Sequence, residues 1–536
     1  MKRRARVLIL LVASAVCLAA DFCGGSGSRG ERSVFEASEA DVRCQSLGTS
    51  PFPPGFDFVP ASPGRLVALN FSPSFVVPLD GSGAAPVIAL APPILAIPDD
   101  SDGDGVDEGS LAQPDFPLLD GVATGDPALA AAGLGLLTAS NYEQVMLFHP
   151  SQGTMAWIEV ALPPSARPQD FPRIPAWDAP ALRTAISTRV CVKPEETLDS
   201  SGDDYAAGLP DFVFCDPSWR GSFFANFTSG AAVAADRLFV SMSNLGSGAG
   251  GPQTKFFPGA VLVYDLALDT DPPSAAPHAS TPVVLTQHFN PTQVTRIALR
   301  GREFVLVTLT GAIGIQRDDP GTPEIEGGTT ILSDAAIEVI DAETLSLVGV
   351  IPLGPAALGS DRLAIDPSGR VAAVGSEAGR LLFAVDLEPL ASLPATAPTP
   401  IVLSDAVIFD AYAPLRLPAR SGGPAPATCP GFTSGVAFNA AGDRVYVSER
   451  CDGTLTTVGV LLPADRADSV SPSSFFLVGS EPVTAPLTQE TLGELRDPGA
   501  LRVRPGIPGV DYHGPDLFFL ASQPKASLCG IRVESF

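Results

Sequence analysis

Histidine, methionine and tryptophan are scarce in this chain of 536 residues, with 4, 4 and 3 copies. The four histidines, His149, His278, His288 and His513, stand singly along the sequence, so no spacing such as His-Glu-x-x-His announces a zinc site. No Cys-x-x-Cys, Gly-x-Ser-x-Gly elbow, phosphate-binding Gly-rich loop or dinucleotide fingerprint occurs. Positive charge is also in deficit. Lys and Arg number 33 against 59 Asp and Glu, a formal net charge of −26, and such a surface repels a phosphate backbone, which excludes nucleic acid as a partner class. Helical periodicity is nearly absent, and only Asp126 to Ala132 and Gln489 to Leu495 carry a pattern that fits a turn or two of helix.

What is abundant is strand and turn material. The chain holds 52 Gly and 54 Pro within 45% apolar residues, too hydrophobic for disorder and punctuated like a β protein. Leu134 to Val160 (LGLLTASNYEQVMLFHPSQGTMAWIEV) reads as three short strands separated by polar turns, and the pattern returns downstream. Taking one residue in the second strand of each copy (Val67, Leu137, Phe239, Leu306, Ala372, Tyr446 and Phe518), the gaps are 70, 102, 67, 66, 74 and 72 residues. A single core rarely serves so long a chain, whereas a supersecondary unit repeated around an axis does.

The two most compact copies are Asp361 to Asp386, with its Asp-Pro-Ser-Gly turn, and Ser434 to Val460, with its Asn-Ala-Ala-Gly-Asp turn. Each turn is followed by a strand ending in Ser or Gly-Ser and then by a third strand. These copies resemble the YVTN-type β-propeller repeat, and the likeness spans most of residues 55–536. It implies an all-β, seven-bladed β-propeller, with six or eight blades left open and a β-sandwich array as the competing architecture. The resemblance carries architecture and is silent on activity. Three tryptophans are too few for the blade-docking repeats of quinoprotein propellers, and the axial acidic residues of lactonase-type propellers find no residue-by-residue match.

Met1 to Arg6 is a basic segment and Val7 to Ala20 a fourteen-residue uncharged stretch, too short to span a membrane comfortably. Residues 1–22 are therefore expected to be a signal peptide. Cys23 and the Gly/Ser-rich run after it resemble the start of a bacterial lipoprotein, which implies lipidation at Cys23 and a flexible tether over 23–54. Asp21 and Phe22 depart from the lipobox pattern, and cleavage after Ala20 with simple secretion is the alternative. The expected address is the periplasm or outer membrane, with the membrane touched only through the lipid anchor. Six cysteines remain for an oxidising compartment. Within a blade the start of the first strand lies beside the end of the second, which pairs Cys429 with Cys451. Cys191 and Cys215 would close the insertion over 165–222, and Cys44 with Cys529 would fasten the N-terminal segment to the last blade.

The sharpest chemical motif lies in the insertion 96–120; a third insertion covers 315–335. Asp100, Asp102 and Asp104 alternate ahead of Gly105, as in the opening of a calcium loop, with the carbonyl of Val106 and the carboxylate of Glu108 completing the expected shell. Position twelve is Leu111, so the bidentate Glu of an EF-hand is missing. The calcium expected here is structural. The function expected from these features is a binding or scaffolding platform at the cell envelope, a monomer recognising a protein or small-molecule partner. The alternative is a lactonase-like hydrolase with its site at the axial mouth.

Overall fold

The computed structural model describes residues 42–48, the strand segments between 55 and 159 with 127–139, and most of 228–531; the stretches between these, including 1–41, 160–227 and 532–536, lie outside the described residues. Pro127–Ala132 is the α-helix of the described part, where the sequence pattern placed one. Nearly everything else is antiparallel sheet.

Among the described residues, seven sheets of four or five strands follow one another along the chain. The first is Gly55–Phe58, Leu66–Asn70, Ser74–Pro78 and Ile88–Leu90; the second is Val122–Ala123, Gly135–Ala139, Gln144–Phe148 and Met155–Glu159. The third runs through Thr228–Ala234, Arg237–Met242 and Pro258–Ala267 to an outer edge shared by Ser274–Pro277 and Val283–Phe289. The fourth comprises Pro291–Leu299, Arg302–Leu309, Ala335–Asp341 and Ser346–Gly354, with Ile401–Val402 added in parallel at its rim. The fifth contains Ala364–Ile365, Val371–Gly375, Leu381–Asp386 and Leu415–Arg416; the sixth, Phe432–Phe438, Arg444–Arg450, Thr454–Val460 and Phe475–Pro482. Arg496–Val503, Leu517–Gln523 and Ala526–Ile531 form the seventh, and its outer strand is Val42–Gly48 from the other end of the chain. All seven marker residues chosen from sequence fall on the second strand of a sheet.

The sheets bury their faces against one another. One apolar cluster joins the second and third sheets through Leu136, Leu147, Val240 and Leu262, and others join the third to the fourth, the fourth to the fifth, the fifth to the sixth and the sixth to the seventh. Phe58 of the first sheet meets Phe518 of the seventh edge to face, with centroids 5.8 Å apart. The third strand of the fourth sheet, AAIEVID, is buried along its whole length, as a strand sandwiched on both faces requires.

First strands sit innermost and run side by side in the same direction. Ser229 donates to the carbonyl of Pro291 near one end, and the Ala235 N–H donates to Glu303 Oε2 at 2.7 Å near the other. Between them Gly230 lets the backbones touch: a Cβ there would stand 2.9 Å from the Cα of Gln293. This stacking of successive sheets by their first strands, with the last sheet meeting the first, is the topology of a β-propeller.

An arginine at or beside the start of the second strand recurs as a clasp. Arg302 donates to Asp341 Oδ2 (2.5 Å), at the end of the third strand in its own sheet, and also to the carbonyls of Leu393 and Pro394 in the link that follows the third strand of the next sheet. Arg370 pairs with Asp386 (2.9 Å) and reaches the carbonyls of Arg466 and Asp468 in the sixth sheet. Arg237, 3.8 Å from Asp265, donates to the Ala342 carbonyl at 2.8 Å in the fourth. The Asp-Pro-Ser-Gly turn ahead of Arg370 is held by Asp366, whose Oδ1 accepts the N–H groups of Arg370 and Val371 at 2.6 and 2.5 Å.

Two sequence expectations need correction. The tether assigned to 23–54 contains Val42–Gly48, an outer strand whose ladder groups are satisfied by the seventh sheet. Within the helical expectation at Gln489 to Leu495, the described residues Thr491–Glu494 are a strand paired with Thr484–Leu487, because the apolar alternation and Gly493 suit a hairpin as well as a helical turn.

Arg370 and Asp386 are each about 95% buried, so removing one partner strands the other charge. Arg370→Ala is expected to lower unfolding stability by about 3–5 kcal/mol, read from urea midpoints at an unchanged m-value. A loss under about 1 kcal/mol, the range of a surface pair, would remove the clasp from the account.

Candidate binding face

Because neighbouring strands in each sheet are antiparallel, the links between second and third strands and the links from one sheet to the next leave from one end of the stack. Links between first and second strands and between third and fourth leave from the other. This simple parity sorts the insertions. Residues 91–121 and 160–227 connect successive sheets, and 310–334 joins the second and third strands of the fourth sheet, so all three start and finish at the same end. Together they hold 22 acidic against 7 basic residues, −15 of the net −26.

Short ladders support several of these links. Ala96–Ile97 pairs with Leu111–Ala112 at the base of the acidic loop, and Ile313–Ile315 with Thr329–Ile331 at the base of the insertion in the fourth sheet. Leu245–Ser247 with Thr254–Phe256, and the hairpin at 484–494, rise from the same end. The opposite end carries tight turns, among them Ala235-Asp236 and Arg300-Gly301, each with both residues at positive φ, together with the longer links 387–414 and 461–474. Glu303 stands beside two of these turns. Its partial burial alone would raise the carboxyl pKa, but the hydrogen bond and charge of Arg296 and the Ala235 N–H hold it below the usual value.

Two fully buried carboxylates support the insertion-bearing end. Glu338 Oε1 accepts from the N–H groups of Gln287 and His288 and bonds His288 Nδ1, each at 2.8 Å, tying the fourth sheet to the outer strand of the third. Glu449 of the sixth sheet lies 3.1 Å from Arg380 in a turn of the fifth and accepts from Thr456. Alongside, Thr433 donates to the carbonyls of Ser376 and Leu381 at 2.9 and 3.0 Å. Links that would otherwise hang from separate sheets thus spring from a braced surface.

The first strands of the third and sixth sheets carry small residues, Gly230, Ala231 and Ala232 in one and Gly435 and Ala437 in the other, whereas those of the first, fourth and seventh sheets carry larger and charged ones such as Asp57, Arg296 and Arg502. A buried ion pair, Asp57 with Arg502 at 3.6 Å, spans the junction of first and seventh sheets. Among the described residues no group of three His, Cys, Asp or Glu side chains gathers around a metal-sized space.

The sequence-derived calcium residues Asp100, Asp102, Asp104, Val106 and Glu108 lie outside the described residues, as do Cys23, Cys191, Cys215, Cys429 and Cys451. Cys529 is disulfide-bonded and fully buried, and Cys44 is the residue opposite it in the strand register. Sequence reading missed Glu338 and Glu449, although a lone Glu inside the apolar run Ala336-Ile-Glu-Val-Ile was a signal. It also read His278 and His288 as isolated, whereas each faces a carboxylate distant in the chain.

No family model and no curated protein matches this chain. Among solved structures, hydrazine synthase of Kuenenia stuttgartiensis is 9% identical at a TM-score of 0.45, covering 90% of this chain and 96% of that one. The RRP9 WD40 repeats are 10% identical at 0.43, covering 94% and 99%. The periplasmic gluconolactonase PpgL of Pseudomonas aeruginosa is 16% identical at 0.32, covering 56% and 68%. Likenesses of this extent leave the architecture to be argued from the strand topology.

Proposed function

We propose that this protein is an exported, lipid-anchored β-propeller whose seven sheets are seven blades of one ring, and that its insertion-bearing face is a binding platform for a cationic partner. The observation that carries the reading is the parity of the links: three acidic insertions from three parts of the sequence begin and end at one end of the stack. Long loops on a rigid scaffold are where recognition concentrates, and a field of one sign draws oppositely charged partners.

Calcium fits this reading as an organiser of the face. Asp100, Asp102, Asp104, the Val106 carbonyl and Glu108 would surround the ion, and the ladder below them would anchor the loop. The expected result is a melting temperature that rises with millimolar calcium and falls back with chelator. Unchanged melting, or an equal response in Asp102→Asn/Asp104→Asn, would remove the calcium site.

One experiment tests the platform and its address together. The full chain, a Cys23→Ser variant and a variant with 165–222 replaced by a short Gly/Ser segment are expressed in an envelope-bearing host, fractionated and cross-linked. Wild type is expected in the membrane fraction with a cross-linked partner that dissociates as salt rises. The Cys23→Ser chain should turn soluble, and the replacement variant should stay membrane-bound without the partner. A soluble wild type contradicts the anchor, and an undiminished partner in the replacement variant contradicts the assigned face.

A further inference from the structure

We propose that Asp265, His278 and Ser280 form an acyl-transfer centre at the outer edge of the third sheet, taking small, unhindered carboxylic esters. It stands apart from the binding face, on the part of the sheet nearer the tight turns, and does not rest on the platform reading.

The centre exists because the outer edge of this sheet is broken. Ser274–Pro277 and Val283–Phe289 both pair with Pro258–Ala267, and the five residues between them leave the ladder. Val263 pins that detour at both ends: its carbonyl accepts from the His278 N–H and its N–H donates to the Pro282 carbonyl, each at 2.9 Å. Asp265 follows two residues later, so its side chain lies on the same face as that of Val263. There Asp265 Oδ1 bonds His278 Nδ1 at 2.7 Å, and His278 Nε2 bonds Ser280 Oγ at 3.2 Å. Arg237 lies opposite Asp265 in the register, 3.8 Å away.

The order carboxylate, imidazole, hydroxyl is what nucleophilic acyl transfer requires, and it is recognised by geometry and roles rather than by chain order. With its Nδ1–H given to Asp265, His278 presents the Nε2 lone pair to Ser280. Ser280 Oγ bonds the ester carbonyl carbon as its proton passes to Nε2. The carbon–oxygen bond to the leaving group then breaks, and the departing alcohol takes that proton. Water next attacks the acyl-serine, giving a proton to His278 that returns to Ser280 as the carboxylic acid leaves. Among the described residues no backbone carbonyl accepts from the N–H of Ala279, Ser280 or Thr281, so the detour has donors to offer a developing oxyanion. Ser280 is exposed and the His278 side chain one-fifth exposed, which admits a small ester without an enclosing acyl pocket.

The test uses the full chain with a fluorophosphonate probe and with p-nitrophenyl acetate. The expected result is probe attached to the peptide bearing Ser280 and ester hydrolysis that are both lost in Ser280→Ala, with His278→Gln lowering kcat/KM roughly 100-fold. Asp265 acts through His278 as a positioning residue, so Asp265→Asn should lower kcat with KM unchanged and Asp265→Glu should recover part of the rate. An unlabelled Ser280, or hydrolysis undiminished in Ser280→Ala, would overturn the proposal.

Discussion

A four-stranded sheet of this composition cannot bury either face alone, and the structure follows from where each sheet finds its cover. Apolar clusters between successive sheets supply the non-directional part of the answer, and the arginine clasps supply the directional part. Arg237, Arg302 and Arg370 each lie against an aspartate near the end of the third strand and donate to carbonyls in the link after the third strand of the following sheet. Intrasheet register and intersheet spacing are thereby fixed by one side chain. Such a chain of dependencies has two ends, and the ends are where the architecture is most exposed to failure.

The N-terminal strand addresses that weakness. Val42–Gly48 completes the seventh sheet before the chain enters the first, so the ring junction is held by ladder hydrogen bonds as well as by Phe58 on Phe518 and Asp57 with Arg502. The same closure gives the two ends of the stack different characters. Tight turns such as Ala235-Asp236 and Arg300-Gly301 mark one; at the other, three links have lengthened into acidic insertions without disturbing any ladder. Loop length is tolerated because closure entropy grows slowly, and charge has accumulated there.

Much of this was legible in the sequence, because strand periodicity and the Asp-Pro-Ser-Gly and Asn-Ala-Ala-Gly-Asp turns are local signals. The second strands were located by one residue each, from Val67 to Phe518. The cysteines placed the N-terminal segment beside the last sheet, but Val42–Gly48 was hidden as a strand because its polar alternation reads as tether. Val122–Ala123 was hidden because two residues carry no period. The candidate chemistry was less legible still. Asp265 and His278 are thirteen residues apart and meet only through antiparallel pairing, while Glu338 and His288 are fifty apart and meet across two sheets.

The central claim is that the chain closes on itself by placing its N-terminal strand on the last sheet, with Cys44 opposite Cys529. Proteolysis without reduction, followed by mass spectrometry, tests this most directly. The account predicts one cross-linked species joining the peptides of Cys44 and Cys529, separated by reductant. Cys44 recovered as a free thiol, or joined to Cys191, Cys215, Cys429 or Cys451, would contradict it.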